Sequence, residues 1–127
     1  MKHETYEWIA KAEGDLHTAV RELDADEWPN FDAACFHAQQ CAEKYLKARL
    51  IEAGIPFPRI HDLEALLNLA LPMEPHWELL REDLQQLTGM AVEVRYPGLN
   101  ADGEDAAVAV NVARRVREAV RTSLRVA

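Results

Sequence analysis

The sequence predicts an all-α protein, an antiparallel up-and-down four-helix bundle with one short additional helix. Three observations carry that expectation. Apolar residues recur at three- and four-residue steps through each long segment. Proline-containing stretches separate those segments. The one run that also suits a strand, Met90 to Tyr96, has no second run to pair with, so it is read as helix or irregular chain. With 127 residues, 49% of them hydrophobic and 28% charged, the chain has the composition of an ordinary globular protein, and residues 1–127 are expected to form one domain around one core.

The first helix is expected between His3 and Leu23, where Ile9, Ala12, Leu16, Ala19, Val20 and Leu23 make the apolar side. Trp28-Pro29 breaks it, because proline cannot continue the hydrogen-bond ladder. A second helix is expected from Phe31 to Ala53. Its apolar arc runs through Ala34, Cys35, Ala38, Cys41, Ala42, Tyr45 and Leu46, with His37, Gln40, Lys44 and Lys47 on the opposite side. Gly54-Ile55-Pro56-Phe57-Pro58 reads as its stop. Asp62 stands at the start of a short third helix, which Pro72 and Pro75 limit to about ten residues. A further helix from about His76 would bury Leu79, Leu80, Leu84 and Leu87. After the Pro97 to Gly103 loop, Asp102, Glu104 and Asp105 favour the start of a last helix that buries Ala109, Val112, Ala113, Val116, Val120 and Leu124.

Several chemistries lack their residues. No histidine has a glutamate three residues before it, which removes the bundle-type di-metal site. There is no His-Glu-x-x-His, no phosphate-binding glycine loop and no Cys-x-x-Cys, so no metal and no cofactor is expected. His37 and Cys41 lie one turn apart, but a metal would need further ligands. Cys35 and Cys41, separated by about 9 Å along a shared helix, are beyond disulfide reach and read as reduced packing residues. Met1 to Glu4 leads straight into a charged amphipathic pattern, and no apolar run could span a bilayer. The expected location is therefore the cytoplasm.

The formal net charge of -8 argues against broad nucleic-acid binding. The distribution is uneven, however. Residues 111–127 hold five arginines against Glu118 alone, a local excess of +4 that leaves -12 on the rest. The stripe of Arg114, Arg117, Arg121 and Arg125 suits a solvated face, with Glu118 able to pair with Arg114 and Arg121, and equally a protein- or RNA-facing strip.

The stretch Phe36-His37-Ala38-Gln39-Gln40-Cys41-Ala42-Glu43-Lys44-Tyr45-Leu46-Lys47-Ala48 resembles the signature helix of HEPN domains. His61-Asp62-Leu63, Arg95-Tyr96-Pro97 and the opening Trp8 to Leu16 resemble further pieces of that family, in order and spacing. The resemblance implies a helical bundle that commonly forms a homodimer and is paired, toxin-antitoxin fashion, with a minimal nucleotidyltransferase. It also implies nucleotide or RNA binding, or metal-independent endoribonuclease activity based on an arginine followed, after about four to six intervening residues, by a histidine that moves protons. Arg95 matches the arginine by position, yet no histidine follows it. Cleavage by the family's route is therefore not expected.

On this basis Arg95, Tyr96, Gln40, Lys44 and Lys47 are the nucleotide- or RNA-binding candidates. The lysines would act as point charges on phosphate, and Tyr96 would stack on a base. Each also has a plain structural reading, as a solvated helix face or a bundle-end contact. Arg95, Tyr96 and His61 are the candidates for catalysis, although His61-Asp62 equally reads as a helix-start element. Val108, Val110 and Val126, outside the narrowest apolar stripe of the last helix, add to the expectation of a homodimer. The remaining alternative is a structural adaptor without ligand.

Overall fold

A computed structural model of the protein describes residues 1–93 and 96–126. Five α-helices follow one another: α1 (His3–Asp24), α2 (Phe31–Glu52), α3 (Leu63–Ala70), α4 (Arg81–Glu93) and α5 (Gly103–Leu124). A 3₁₀ segment, Pro75–Leu80, leads into α4, and no strand occurs among the described residues.

Local chemistry sets most of these limits. The Asn30 side chain caps α2 by accepting from the Ala33 N–H at 2.9 Å. At its other end the Gly54 N–H donates to Ile51 and the Ile55 N–H to Leu50, a closure that needs the left-handed Gly54 at φ 70°. Asp62 caps α3 through the Ala65 N–H. Asp102 and Asp105 exchange side-chain and backbone bonds as a capping box at the start of α5. The run from Met90 is helical as far as Glu93, while Val94 and Arg95 lie outside the described residues.

The chain order is up and down, but α2 is the central helix. It packs most extensively against α1 and α5 and also touches α3 and α4. Twelve of its 22 residues are buried, so it is covered on several sides instead of one. α1 runs antiparallel to it, with Lys2 and Thr5 bonded to Glu52. α5 runs parallel to it, with Gly103 against Phe31 at one end and Ser123 bonded to Arg49 at the other. Tyr45, Leu46 and Leu50 of α2 join Leu66 and Leu67, Leu84 and Leu87, and Val112, Val116 and Val120 in one core.

Two expectations about burial do not hold. Leu79 is exposed, and Trp77 is buried in its place. The cause is the 3₁₀ winding, which brings residues three apart onto one side, here Trp77 and Leu80, and turns Leu79 outward. Val110, expected on an outer face, is fully buried, and Val108 and Val126 pack partly against the core. Among the described residues no helix is long and apolar enough to cross a membrane.

Candidate functional site

Because α2 is enclosed, its polar residues are forced into partnerships. Gln39, Glu43 and Lys47 stand four residues apart and are all buried. Glu43, whose side chain is 3% exposed, meets the Lys47 ammonium at 3.1 Å. Lys47 is itself only 7% exposed. Its Nζ also lies 5.5 Å from the ring centre of Trp8 and 5.6 Å from that of Phe57, so a carboxylate and two aromatic faces replace its water. Burying a charge without such partners is strongly unfavourable.

The second oxygen of Glu43 lies 2.9 Å from Nδ1 of His61, which the connection after α2 brings back over the helix. An ionised carboxylate can only accept, so Nδ1 is the donor in this contact. The imidazole is 72% exposed, so Nε2 can face solvent. Gln39 braces the corner by donating to the His61 carbonyl and to Glu43, and Gln40 donates to Gln39. The group can hold one imidazole in a fixed tautomer and orientation, as a general base requires.

A second network lies beside it. Asp15 of α1 takes Lys44 at 2.6 Å and His37 at 2.8 Å. A third joins α1 to α5, where Arg117 grips Glu13 with two nitrogens and Arg121 reaches both Glu13 and the Tyr45 hydroxyl. Arg117 holds the Glu13 carboxyl below its ordinary value, and burial pushes the Tyr45 phenol up to about 12. Burial likewise raises the thiols of Cys35 to about 11 and Cys41 to about 12, so both stay protonated packing groups.

The structure thus brings Gln40, Lys47 and His61 into one network. Lys44 belongs to the Asp15 network, and Tyr96 is exposed in a turn closed by the Leu99 N–H on its carbonyl. Arg95 lies outside the described residues. The solvated stripe expected for His37, Gln40, Lys44 and Lys47 does not form, since α1 and the connection after α2 cover that side. Nor does Glu118 organise the α5 arginines as expected, because Arg117 and Arg121 reach across to Glu13 and Arg115 pairs with Asp83. Asp62 acts as the cap of α3. Sequence reasoning passed over Gln39 and Glu43, although their spacing with Lys47 was a signal that these three share a side.

A HEPN domain model matches residues 5–123. The chain belongs to the HEPN family. A solved crystal structure of an archaeal HEPN homologue is similar to it over 97% of this chain and 98% of that one, with a TM-score of 0.70 and 28% sequence identity. A search of the curated proteins found no match.

Proposed function

We infer that this HEPN module works by binding a partner protein, a minimal nucleotidyltransferase in a toxin-antitoxin-like pair, and does not cleave RNA on its own. The observation that carries this reading is that both lysines expected to hold phosphate are already engaged inside the fold, Lys44 by Asp15 and Lys47 by Glu43. Neutralised and enclosed ammonium groups contribute little to phosphate attraction. Nucleotide or RNA contact, where it occurs, is left to Arg95 and Tyr96. The missing histidine removes a proton carrier whose contribution is commonly about 10²- to 10⁴-fold in rate.

The test is to incubate the purified chain with RNA in the presence of a chelator, and separately to co-express it with a minimal nucleotidyltransferase. No cleavage and a stable complex are expected. Metal-independent cleavage that vanishes in Arg95→Ala would reverse the reading. A second reading, an endoribonuclease with a different base, is favoured by the Glu43–His61 pair. It requires cleavage that is lost in His61→Ala while the helical signal is kept. Self-association belongs to the proposal on family grounds, and sedimentation at 14.4 kDa would remove it.

A further inference from the structure

The end of the bundle where α1 stops and α2 and α5 begin is built from two connections that the fold ties together. The Ala101 N–H donates to Asp32 at 2.7 Å, and Gly103 lies beside the Phe31 ring, which a Cβ at that position would meet at 3.4 Å. Between them lies a shallow cavity of about 350 Å³ with Trp28 on its wall. Trp28 is 92% exposed and sits at φ 54°, a left-handed conformation unfavourable for a residue with a Cβ. Tyr96 and Leu99 of the facing connection are exposed as well. A strained, solvated indole on a cavity that Pro29, Phe31 and Ala101 also line contributes nothing to the core, and such surface marks a contact waiting for a partner.

The charge at this end specifies the partner's chemistry. Residues 22–32 and 96–105 contain eight carboxylates and no lysine or arginine. Those eight equal the formal net charge of -8, so the remainder of the chain, Arg95 included, balances at 14 basic and 14 acidic residues. Such a field repels nucleic acid and draws cations. Arginine and lysine also bind the face of an indole. We propose that this end of the bundle, centred on Trp28, docks an arginine- or lysine-rich segment of a protein partner. The proposal rests on the reading of the chain as a partner-binding module and says where and by what chemistry the partner sits.

The experiment uses the full chain and a labelled, uncharged-spacer arginine peptide, titrated by fluorescence anisotropy at low salt. Binding that weakens as salt rises is expected. Trp28→Gly should weaken it by about three- to tenfold. Asp26→Asn with Glu27→Gln should weaken it by a similar factor, and Glu4→Gln with Glu7→Gln, which removes the same charge from the exposed side of α1, should leave it unchanged. Equal weakening by both charge pairs, or single-stranded RNA binding more tightly than the peptide and through Trp28, would overturn the proposal. Circular dichroism confirms that each variant is folded, and Trp28→Ser supplies a second replacement. A nucleotidyltransferase that binds wild type and the Trp28 and Asp26/Glu27 variants alike would overturn this surface while the partner-binding reading stands. Peptide binding confined to this end, with no nucleotidyltransferase complex, would do the reverse.

Discussion

Charged residues in two regions of this molecule meet opposite conditions. In the interior row of α2, Glu43 and Lys47 are almost sealed from water and hold each other, His61 and two aromatic rings. At the end near Trp28, carboxylates cluster around an exposed indole with no basic residue in either connection. The first region encloses its charges, whereas the second leaves Asp26 and Glu27 exposed beside the indole while Asp32, Asp102 and Asp105 bond backbone N–H groups. Conspicuous charge in the sequence is therefore a poor guide to function until burial is known.

The sharpest way to break this contrast is to remove Glu43. Glu43→Ala leaves Lys47 buried without its carboxylate, and a loss of about 3 to 5 kcal/mol in urea-induced unfolding is expected. Combining Glu43→Leu with Lys47→Met should recover most of it, because an apolar pair has no desolvation penalty. A single-variant loss below about 1 kcal/mol would place the row among ordinary surface pairs.

The Glu13–Arg117 pair, partly exposed, is the intermediate case. The Glu13 pKa is lowered in the folded state, so the pair's contribution is fully present above the carboxyl's ordinary value of 4.5 and is lost as pH falls through the lowered native value. Arg117→Ala should flatten the loss of thermal stability in that acid window and lower stability at neutral pH by less than the Glu43 change, because solvent screens the pair. An unchanged acid profile would show that Glu13 is not its source.

Trp28→Gly should act in the opposite direction. Removing an L-residue from the left-handed region gains about 1 to 2 kcal/mol, and the added freedom of glycine in the unfolded chain returns about 0.4 to 1. The net expectation is a gain of about 0.5 kcal/mol by chemical denaturation, since no buried contact is lost. A clear destabilisation would mean that the indole supports the fold. Smallest of all, Asp26→Asn with Glu27→Gln should raise stability by a few tenths of a kcal/mol at low salt, an effect that disappears as salt is added.

Much of the fold was legible because its signals are local. Trp28-Pro29, Gly54 and the Asp102 cap act through backbone angles and neighbouring N–H groups, and the helix limits follow them closely. The burial of Leu79 was misread where the winding changed from α to 3₁₀, since the same sequence spacing then points to a different side. The candidate site was less legible. His61 and Gln40 stand out in the sequence as candidates, but Gln39 and Glu43, which bond to them, do not, because a polar side chain in a helix is ordinarily assigned to water.

By itself the sequence determined the helices, most of their caps and stops, and the absence of a histidine after Arg95, all of which depend on residues close together in the chain. Only the tertiary structure decided which charges face water. Lys44 is neutralised by Asp15, 29 residues away, and Lys47 is enclosed by Trp8 from α1 and Phe57 from beyond Gly54. Desolvation is set by whatever packs against a side chain, and those neighbours come from segments that no spacing along α2 can reveal.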